Sequence, residues 1–488
     1  MKSKLCFLLA LLMLGATACG EAAPSGTDTT AADGGDTTTA APTGYDYGDH
    51  DFGGYEFKVL NFEEYCNVYM KLDLDEQSGE ALDDAVFKRN SKVEEALNFK
   101  IKEVKEPYTG WNTAQIGLVD KVTQSVLAGD YAYDAAYLPV CFKPGIITDG
   151  YLLDLNELPG LNLDGEYWDS VLNSSLTLDG KLFAASGPLQ FCTLEFSDVL
   201  LFNENMFTNY KLEFPYQLVR DGKWTLDEFY KYVSACTQLN GDESFAFKEG
   251  GSAVWGIAGH HDLPYALSYG AGCYLVKTEG DSFKLGIEDE RFFNASETIA
   301  KIFTTSDGHV LWGAAEAEPS GYTNVFRADR GAFITCELKS AVVLRDMKST
   351  FGLLPMPKYD AAQANYQTAV SYNSTFLTVP KTQNDPERTG VILDALTYES
   401  YHDVLPIYYD VMVSQKGLRN EDSIEMLDII YNTRGIEFTN IFGITNSFVS
   451  SYNSQIKSES LSLASLAASA KEGINANIEK VLTAIREQ

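Results

Sequence analysis

Two segments of this chain come close to catalytic motifs, and neither completes one. Residues 250–254 (GGSAV) hold a serine where a G-x-S-x-G nucleophile elbow has it, but the final glycine is missing. Residues 260–264 (HHDLP) lack the H-E-x-x-H spacing that puts two zinc ligands on one helical face, and Pro264 opposes a helix there. Paired carboxylates can hydrolyse glycosides, but among 69 acidic residues the sequence singles out no pair. We therefore predict that the protein is not an enzyme and uses no cofactor.

Metal-binding patterns are equally incomplete. A calcium-loop frame can be drawn over residues 238–249, but it starts with the amide of Gln238 and has Glu243 where the sharp turn requires glycine. His260 and His261 are possible metal ligands, yet a zinc site needs three or four converging ligands. We interpret both stretches as polar loops and predict no metal.

Aromatic residues give a more useful signal, because the C–H faces of a sugar ring stack on Trp or Tyr while carboxylates and amides bind its hydroxyl groups. The chain has 5 Trp and 28 Tyr. Trp255 lies in a glycine-rich stretch and Trp312 precedes Gly313, so both are predicted in loops that can approach a ligand. Packing in the core is the alternative for each. We take Trp255 as the first stacking platform, Trp312 as the alternate, and His261 as a further ligand-binding candidate.

The elements that must position a site begin near residue 52. Apolar periodicity predicts a strand at 55–60, a helix at 82–97, a strand at 99–104, a helix at 116–126 and a strand at 133–138. This order predicts a parallel sheet covered by helices, whose ligands bind beyond the carboxyl ends of its strands. Glu63, Glu64 and Tyr65 follow the first strand and Pro139 follows the third, so we predict that all four line that edge.

Later helices are marked by their caps and periodicity. Thr225 to Glu228 fits a capping box. Asp385 and Pro386 fit the N-cap and first position of a helix through Glu399, and apolar spacing predicts further helices around 424–430 and 474–485.

The amino terminus reads as an export signal. Lys2 and Lys4 precede the apolar run 5–14, which is shorter than the roughly 20 residues that a membrane-spanning helix takes. The segment 16–19 (ATAC) resembles the lipobox of bacterial lipoproteins, which implies that Cys19 is lipidated and becomes the first residue. An ordinary signal peptide is the alternative, because 16–18 (ATA) also fits an A-x-A cleavage site.

The segment 20–48 is predicted to be a disordered tether. It is rich in Gly, Ser, Thr, Ala, Pro and Asp, and it cannot bury enough apolar surface to offset the entropy of ordering. The full chain has a formal charge of −32, and loss of Lys2 and Lys4 with the signal leaves −34. Such a surface repels nucleic acid and anionic lipid headgroups, so neither is a predicted partner.

Six cysteines remain in the body: Cys66, Cys141, Cys192, Cys236, Cys273 and Cys336. They are spread singly over a long chain and show no CxxC spacing, unlike the dense framework of a small disulfide-stapled domain. We predict that most are buried free thiols.

Five segments resemble one family in its order: 79–101 (GEALDDAVFKRNSKVEEALNFKI), 151–163 (YLLDLNELPGLNL), 200–207 (LLFNENMF), 214–229 (FPYQLVRDGKWTLDEF) and 351–360 (FGLLPMPKYD). They are similar to the extracellular solute-binding proteins, type 1, the receptor lipoproteins of bacterial ABC importers. The resemblance implies a two-lobed α/β fold of the periplasmic-binding-protein type II, with an interlobe cleft and a hinge.

The resemblance also implies how the chain is divided. We expect a signal peptide at 1–18, the lipidated cysteine and tether at 19–48, a first lobe at 49–190 and a second lobe at 191–350, while 351–488 completes both lobes. We place one crossing between lobes near Ala184 to Phe196 and the return near Gly352 to Tyr359.

The expected function is capture of a solute, favoured as a mono- or oligosaccharide, and its delivery to the permease subunits of an ABC importer. The expected form is a monomer held on the outer face of the membrane by its lipid alone. An alternative function is that of a surface adhesion or interaction protein. A variant of the receptor hypothesis is that the solute is a peptide, a polyamine or another small molecule.

The lipobox yields the first prediction. Replacing Cys19→Ala should leave the protein unprocessed or released into the medium, because the lipidated sulfur is lost. Fractionation after labelling with a radioactive fatty acid measures this, with Cys66→Ala as the matched control. A Cys19→Ala variant that still carries label would refute the assignment.

Overall fold

The computed structural model describes residues 44–260, 263–279, 282–313, 318–414 and 421–488. The predicted signal, Cys19 and most of the tether lie outside the described residues, as does His261. Among the described residues, no helix is both long and apolar enough to cross a membrane.

The strands form two main sheets and two small pairs, in the orders β12-β3-β1-β2, β10-β4-β9-β5-β8, β11-β13 and β6-β7. Their bounds are β1 Tyr55–Phe62, β2 Phe99–Glu106, β3 Ala135–Leu138, β4 Asp198–Asn203, β5 Trp255–Gly259, β6 Val276–Glu279, β7 Ser282–Leu285, β8 Val310–Trp312, β9 Gly331–Glu337, β10 Phe351–Leu354, β11 Thr368–Ala369, β12 Phe376–Thr378 and β13 Arg434–Gly435.

Helices connect and cover these strands. The α-helices are α1 Ala81–Leu97, α2 Thr113–Ala128, α3 Gly145–Thr148, α4 Ser170–Leu176, α5 Cys192–Glu195, α6 Glu204–Tyr210, α7 Tyr216–Arg220, α8 Leu226–Cys236, α9 Leu263–Gly270, α10 Glu290–Ile302, α11 Tyr322–Arg327, α12 Ser340–Val343, α13 Pro386–Glu399, α14 Leu405–Ser414, α15 Glu421–Tyr431, α16 Phe438–Ile441, α17 Asn446–Lys457 and α18 Leu463–Arg486. Short 3-10 turns lie at Val140–Phe142, Leu155–Glu157 and Gly286–Glu288, and a π-helical turn at Ser400–Val404 joins α13 to α14.

The first sheet has the predicted parallel core. β1 pairs in parallel with β2 from Tyr55 opposite Phe99, and with β3 at Val59 opposite Ala135. β12 adds an antiparallel edge beside β3, with Phe376 opposite Leu138. This α/β arrangement, with helices α1 and α2 between the parallel strands, confirms the predicted strand and helix order. We call the body built on this sheet the first lobe.

The second sheet is mixed. β5 pairs in parallel with β8 and β9, whereas β4 runs antiparallel to β9 and β10. Its core is aromatic: the ring of Phe333 on β9 lies 5.0 Å from that of Phe229 and 5.4 Å from that of Phe207. Trp224 is fully buried beside them, and its indole N–H donates to the carbonyl of Pro355 at 3.0 Å. We call the body built on this sheet the second lobe.

The chain crosses between the two sheets twice in this region. Ala185 still pairs with Leu377 at the edge of the first sheet, and β4 begins at Asp198, so the first crossing spans 186–197. Residues 352–354 belong to β10 in the second sheet, so the return spans 355–375 and lies further along the chain than Gly352 to Tyr359. The two crossings lie side by side, because Ser197 pairs with Val370.

A buried polar chain fixes both crossings to the end of β1. Asn61 on β1 donates to the Glu103 carboxylate on β2 at 2.6 Å and accepts from Gln190 in the first crossing at 3.1 Å. Gln190 in turn accepts from the hydroxyl of Thr375 in the return crossing at 2.8 Å. Because all four side chains are buried, each depends on these partners.

A buried ion pair supports the same junction. Asp169 caps α4 by accepting from the amide of Leu172 at 3.2 Å, and its carboxylate binds the Arg434 guanidinium of β13. The two side chains are only 3% and 2% exposed. β13 pairs with β11, which belongs to the return crossing, so the pair ties α4 to that crossing.

This burial yields a stability prediction. Arg434→Met should lower the free energy of unfolding by roughly 3–5 kcal/mol, because it leaves the Asp169 carboxylate buried without its cation. Urea denaturation measures the change. Arg220→Met is the control: its partners Asp422 and Glu425 are 40% and 47% exposed, and loss of such a pair costs at most about 1 kcal/mol. Equal losses in the two variants would contradict the argument.

Candidate functional site

The carboxyl ends of β1, β2 and β3 face the second lobe where the crossings meet it. The amide of Leu338, just after β9, donates to the carbonyl of Ser197 at 2.9 Å, and that of Lys339 donates to Glu195 at 3.0 Å. The amide of Ser371 donates to the carbonyl of Phe196 at 2.9 Å. We assign the interlobe cleft of this fold to the edge between the two sheets, with these connections as its floor.

Tyr65 is the centre of the floor. Its side chain is 1% exposed, and its hydroxyl donates to the carbonyl of Asn373 at 2.8 Å. The ring stacks on Phe62 at 4.9 Å and contacts Tyr108 at 5.5 Å and Phe196 at 5.7 Å. Tyr65 thus joins the loop after β1 to the loop after β2 and to both crossings, and its role is to position the floor.

Two buried oxygen atoms in this floor lack a hydrogen-bond donor among the described residues: Gln115 Oε1 and Asn373 Oδ1. Gln115, in the first turn of α2, is fully buried, and its amide nitrogen lies 3.4 Å from the Tyr65 hydroxyl. Leaving such an acceptor unpaired costs about 1–3 kcal/mol. A ligand whose hydroxyl or amine donors reached these atoms would recover that cost, and reaching them requires the floor to open, because both atoms are buried.

Charged groups from the second lobe lie beside these residues. The Lys339 ammonium lies 4.2 Å from the centre of the Phe196 ring and pairs with the Glu337 carboxylate at 3.0 Å. Burial raises the pKa of the nearby Cys66 thiol, whereas Lys339 acts to lower it. Cys66 and Asn67 both have left-handed backbone conformations, with φ of 51° and 63°, which are uncommon outside glycine and cluster at functional sites.

An aromatic surface extends the floor outward on the first lobe. We call it the aromatic rim; it comprises Trp111, Phe142 and Tyr372. The Phe142 ring lies 5.5 Å from Trp111 and 5.9 Å from Tyr372. Trp111 is 46% exposed and Tyr372 is 42% exposed, so both side chains reach solvent at the edge of the cleft. Each of the three follows or precedes a strand end of the first sheet.

The residues predicted from the first lobe lie at this edge. Glu63 and Glu64 are exposed immediately after β1, Tyr65 lies in the floor, and buried Pro139 precedes the 3-10 turn that carries Phe142. Trp111 and Gln115 also lie at this edge but were not predicted from the sequence. Their position after β2 could have indicated them, because they follow that strand just as Glu63 follows β1.

The two predicted tryptophans behave differently. Trp255 begins β5, at the end of that strand away from the cleft, and is fully buried; its indole N–H donates to Phe245 at 3.2 Å, and the Arg330 guanidinium lies 4.9 Å from its ring. This placement is the core-packing alternative and leaves no ring face for a sugar. Trp312 ends β8 at the cleft side and is partly exposed, with its ring stacked on Phe303 at 5.1 Å.

Comparison with known proteins bears on the fold. No family model and no curated protein matches the sequence. Among solved structures, a cyclo/maltodextrin-binding protein complexed with maltotetraose has a TM-score of 0.57 at 13% identity, covering 87% of this chain and 97% of that chain.

Two further neighbours agree with it. One is the galacto-N-biose/lacto-N-biose I-binding protein of an ABC transporter from Bifidobacterium longum, in complex with lacto-N-biose. It has a TM-score of 0.57 at 13% identity, and the match covers 88% of this chain and 98% of that chain. The other is the maltose-binding protein MalE from Listeria monocytogenes, in complex with maltose. It has a TM-score of 0.55 at 15% identity, and the match covers 87% of this chain and 98% of that chain. The chain has the fold of these sugar-binding proteins. They are binding proteins rather than enzymes, and the two-lobed α/β expectation is confirmed.

Glu195 shows how strongly the crossing is desolvated. It ends α5 in the first crossing, is 4% exposed, and accepts from the amide of Tyr69 at 3.3 Å. Burial raises its pKa from 4.5 to about 8, against the opposing effects of the Tyr69 amide and the Lys339 ammonium. The Glu195 carboxyl group is therefore harder to ionise in the folded protein than in the unfolded chain.

This shift yields a pH prediction. A carboxyl group whose pKa is higher in the folded state stabilises the fold fully below the unfolded-state pKa, and that contribution is lost as pH rises toward the folded-state value. Between pH 5 and 8, Glu195→Gln should therefore gain stability relative to the wild type, by a few kcal/mol at pH 8. Urea midpoints across this range measure it, with exposed Glu80→Gln as control. A constant difference between wild type and Glu195→Gln would contradict the assignment.

Proposed function

We propose that this protein binds a saccharide in the interlobe cleft and serves as the substrate-binding subunit of an ABC importer. The observation that carries the proposal is the position of unmet acceptors next to solvent-exposed aromatic rings. Gln115 and Asn373 offer buried oxygens to hydroxyl donors, and the aromatic rim lies next to them. Hydroxyl groups around an apolar ring face are the chemistry that such a surface fits. The sugar ligands of the structural neighbours support the same class.

The floor and the rim have different tasks in this proposal. The floor holds one ring of the ligand deeply, between Gln115 on the first lobe and the Lys339–Glu337 pair on the second. Trp111 and Tyr372, which remain exposed, stack on rings that extend outward. Trp312 is proposed as a contact from the second lobe, and Glu63 and Glu64 as acceptors at the entrance. The ligand is therefore an oligosaccharide in preference to a monosaccharide.

The two-lobed fold supports the proposed delivery to an importer. Ligand that contacts both lobes favours a closed arrangement about crossings 186–197 and 355–375, and permease subunits then distinguish the closed form from the open one. Lipidation at Cys19 and a flexible tether, which hold the receptor at the outer face of the membrane, complete the proposal.

Calorimetric titration with glucose, maltose and maltotetraose tests the binding site. Trp111→Ala should weaken maltotetraose binding about 10-fold to 100-fold and glucose binding much less, because an exposed ring contributes roughly 1–3 kcal/mol only to a ligand that reaches it. Gln115→Met, which keeps the side-chain volume, should weaken every saccharide that binds. Leu127→Ala, 70% exposed on the same helix, is the control.

Two outcomes would contradict the proposal. One is unchanged affinity for a bound saccharide in both Trp111→Ala and Gln115→Met. The other is the absence of binding by any of these or related saccharides when peptides or polyamines bind with Gln115-dependent affinity.

A further inference from the structure

A second concave site lies where α4, the β6-β7 hairpin and α18 meet. It is a partly open groove with a volume of about 320 Å³, which is within the usual range for small-molecule sites. Its lining is Ser174, Thr177, Leu178, Asp179, Gly180, Thr278, Phe283 and Leu482. None of these residues belongs to the floor or to the aromatic rim, so the groove is separate from the cleft.

The walls of this groove come from both lobes. Asp179 and Gly180 form the turn between Leu178 and Lys181, just before the first crossing. The β6-β7 hairpin belongs with the second lobe: the amide of Val276 donates to Glu437 at 3.0 Å, and that carboxylate also accepts from Tyr265 of α9, the helix that follows β5.

Helix α18 closes the groove and is bound to both sides. Near its middle, the Lys471 ammonium lies 2.9 Å from the Glu288 carboxylate, which follows β7. Near its end, Arg486 pairs with Asp179 at 3.1 Å, and the carbonyl of Ile485 accepts from Lys181 at 3.0 Å. A molecule in the groove therefore touches the first lobe, the second lobe and the helix that links them.

Two hydroxyl groups of the lining present acceptors to the groove. The Ser174 hydroxyl donates to the carbonyl of Val171 at 2.7 Å and the Thr177 hydroxyl to that of Asn173 at 2.8 Å, so each oxygen turns only acceptor capacity toward the groove. The charge of Asp179 is balanced by Arg486. This lining suits a neutral ligand with hydroxyl donors.

The apolar lining complements those acceptors. Leu178 and Leu482 are buried, and the Phe283 ring, which packs at 4.7 Å on Phe438, is partly exposed. We infer that the groove is a second binding site, for a neutral hydroxylated ring compound of mono- or disaccharide size. Because it bridges the lobes, its ligand is coupled to cleft closure and modulates the affinity of the cleft. The coupling rests on the proposed function, but the site itself does not.

Methyl NMR of leucine-labelled protein tests the site directly. The protein carries Gln115→Met and Trp111→Ala, so that binding in the cleft is impaired, and glucose, maltose and myo-inositol are added singly as probes. The expected result is a saturable shift of the Leu178 and Leu482 methyl signals with at least one probe. Adding Ser174→Ala and Thr177→Val should abolish it, because both acceptors are removed with little change in volume.

The control is Ser469→Ala, which removes an exposed hydroxyl of α18 that donates to its own helix, as Ser174 does in α4. This variant should keep the shift. The inference is overturned if no probe shifts these methyl signals, or if the shift survives loss of both hydroxyls. The spectrum itself reports whether each variant is folded.

A second arm separates this inference from the proposed function. In protein with the native cleft, a probe that shifts the groove methyls should change the affinity of the cleft for maltotetraose, and Ser174→Ala with Thr177→Val should remove that change. If a probe binds the groove but no saccharide binds the cleft, the proposed function is wrong and the groove site is supported. If a saccharide binds the cleft but no probe shifts the groove methyl signals, the groove site is wrong and the proposed function is supported.

Discussion

The buried hydrogen-bond chain from Glu103 through Asn61 and Gln190 to Thr375 is the constraint on which the site depends. It joins the end of the first sheet to both crossings, in a region where each unpaired polar atom is costly. Burial raises the pKa of Glu103, and the amide of Asn61 opposes that effect. Since the crossings carry Phe196 and Asn373, this chain sets where the floor lies relative to Tyr65.

The same constraint explains why strained backbone is tolerated beside it. Cys66 and Asn67 adopt left-handed conformations directly after β1, at a cost of about 1–3 kcal/mol each. That turn brings Tyr65 back over the strand end, where its ring meets Phe62 and its hydroxyl meets the Asn373 carbonyl. The strain is balanced by packing and hydrogen bonds that need Tyr65 in this position.

Local periodicity was sufficient to predict the β1-α1-β2-α2-β3 order and the α13 start at Asp385 and Pro386, because those signals are set within a few residues. The direction of a strand relative to the cleft is not local. Trp255 and Trp312 have similar sequence surroundings, yet Trp255 begins β5 and Trp312 ends β8. Because β5 and β8 are parallel neighbours, these two residues lie at opposite edges of the second sheet. Gln115 was missed because a glutamine in the first turn of a helix resembles any surface residue until the fold buries it. The return crossing was predicted near Gly352 to Tyr359 because the prolines there indicate an extended chain. An extended chain can equally be a strand of a sheet, and residues 352–354 belong to β10.

The charges of the floor residues bear on the class of the proposed ligand more directly than the net charge of the chain does. The chain is strongly acidic, which by itself would suit a cationic solute. In the floor, however, Lys339 neutralises Glu337, and the unmet groups are neutral amide oxygens. The acidic side chains Glu63 and Glu64 stand exposed at the entrance, where water screens them. Amine and hydroxyl donors could both satisfy the two amide acceptors, but a polyamine would also lie beside the Lys339 ammonium, whereas a neutral ring carries no charge to be desolvated. For the proposed function, the floor residues named here supply no uncompensated carboxylate that would offset the desolvation of a cation, even within so acidic a protein.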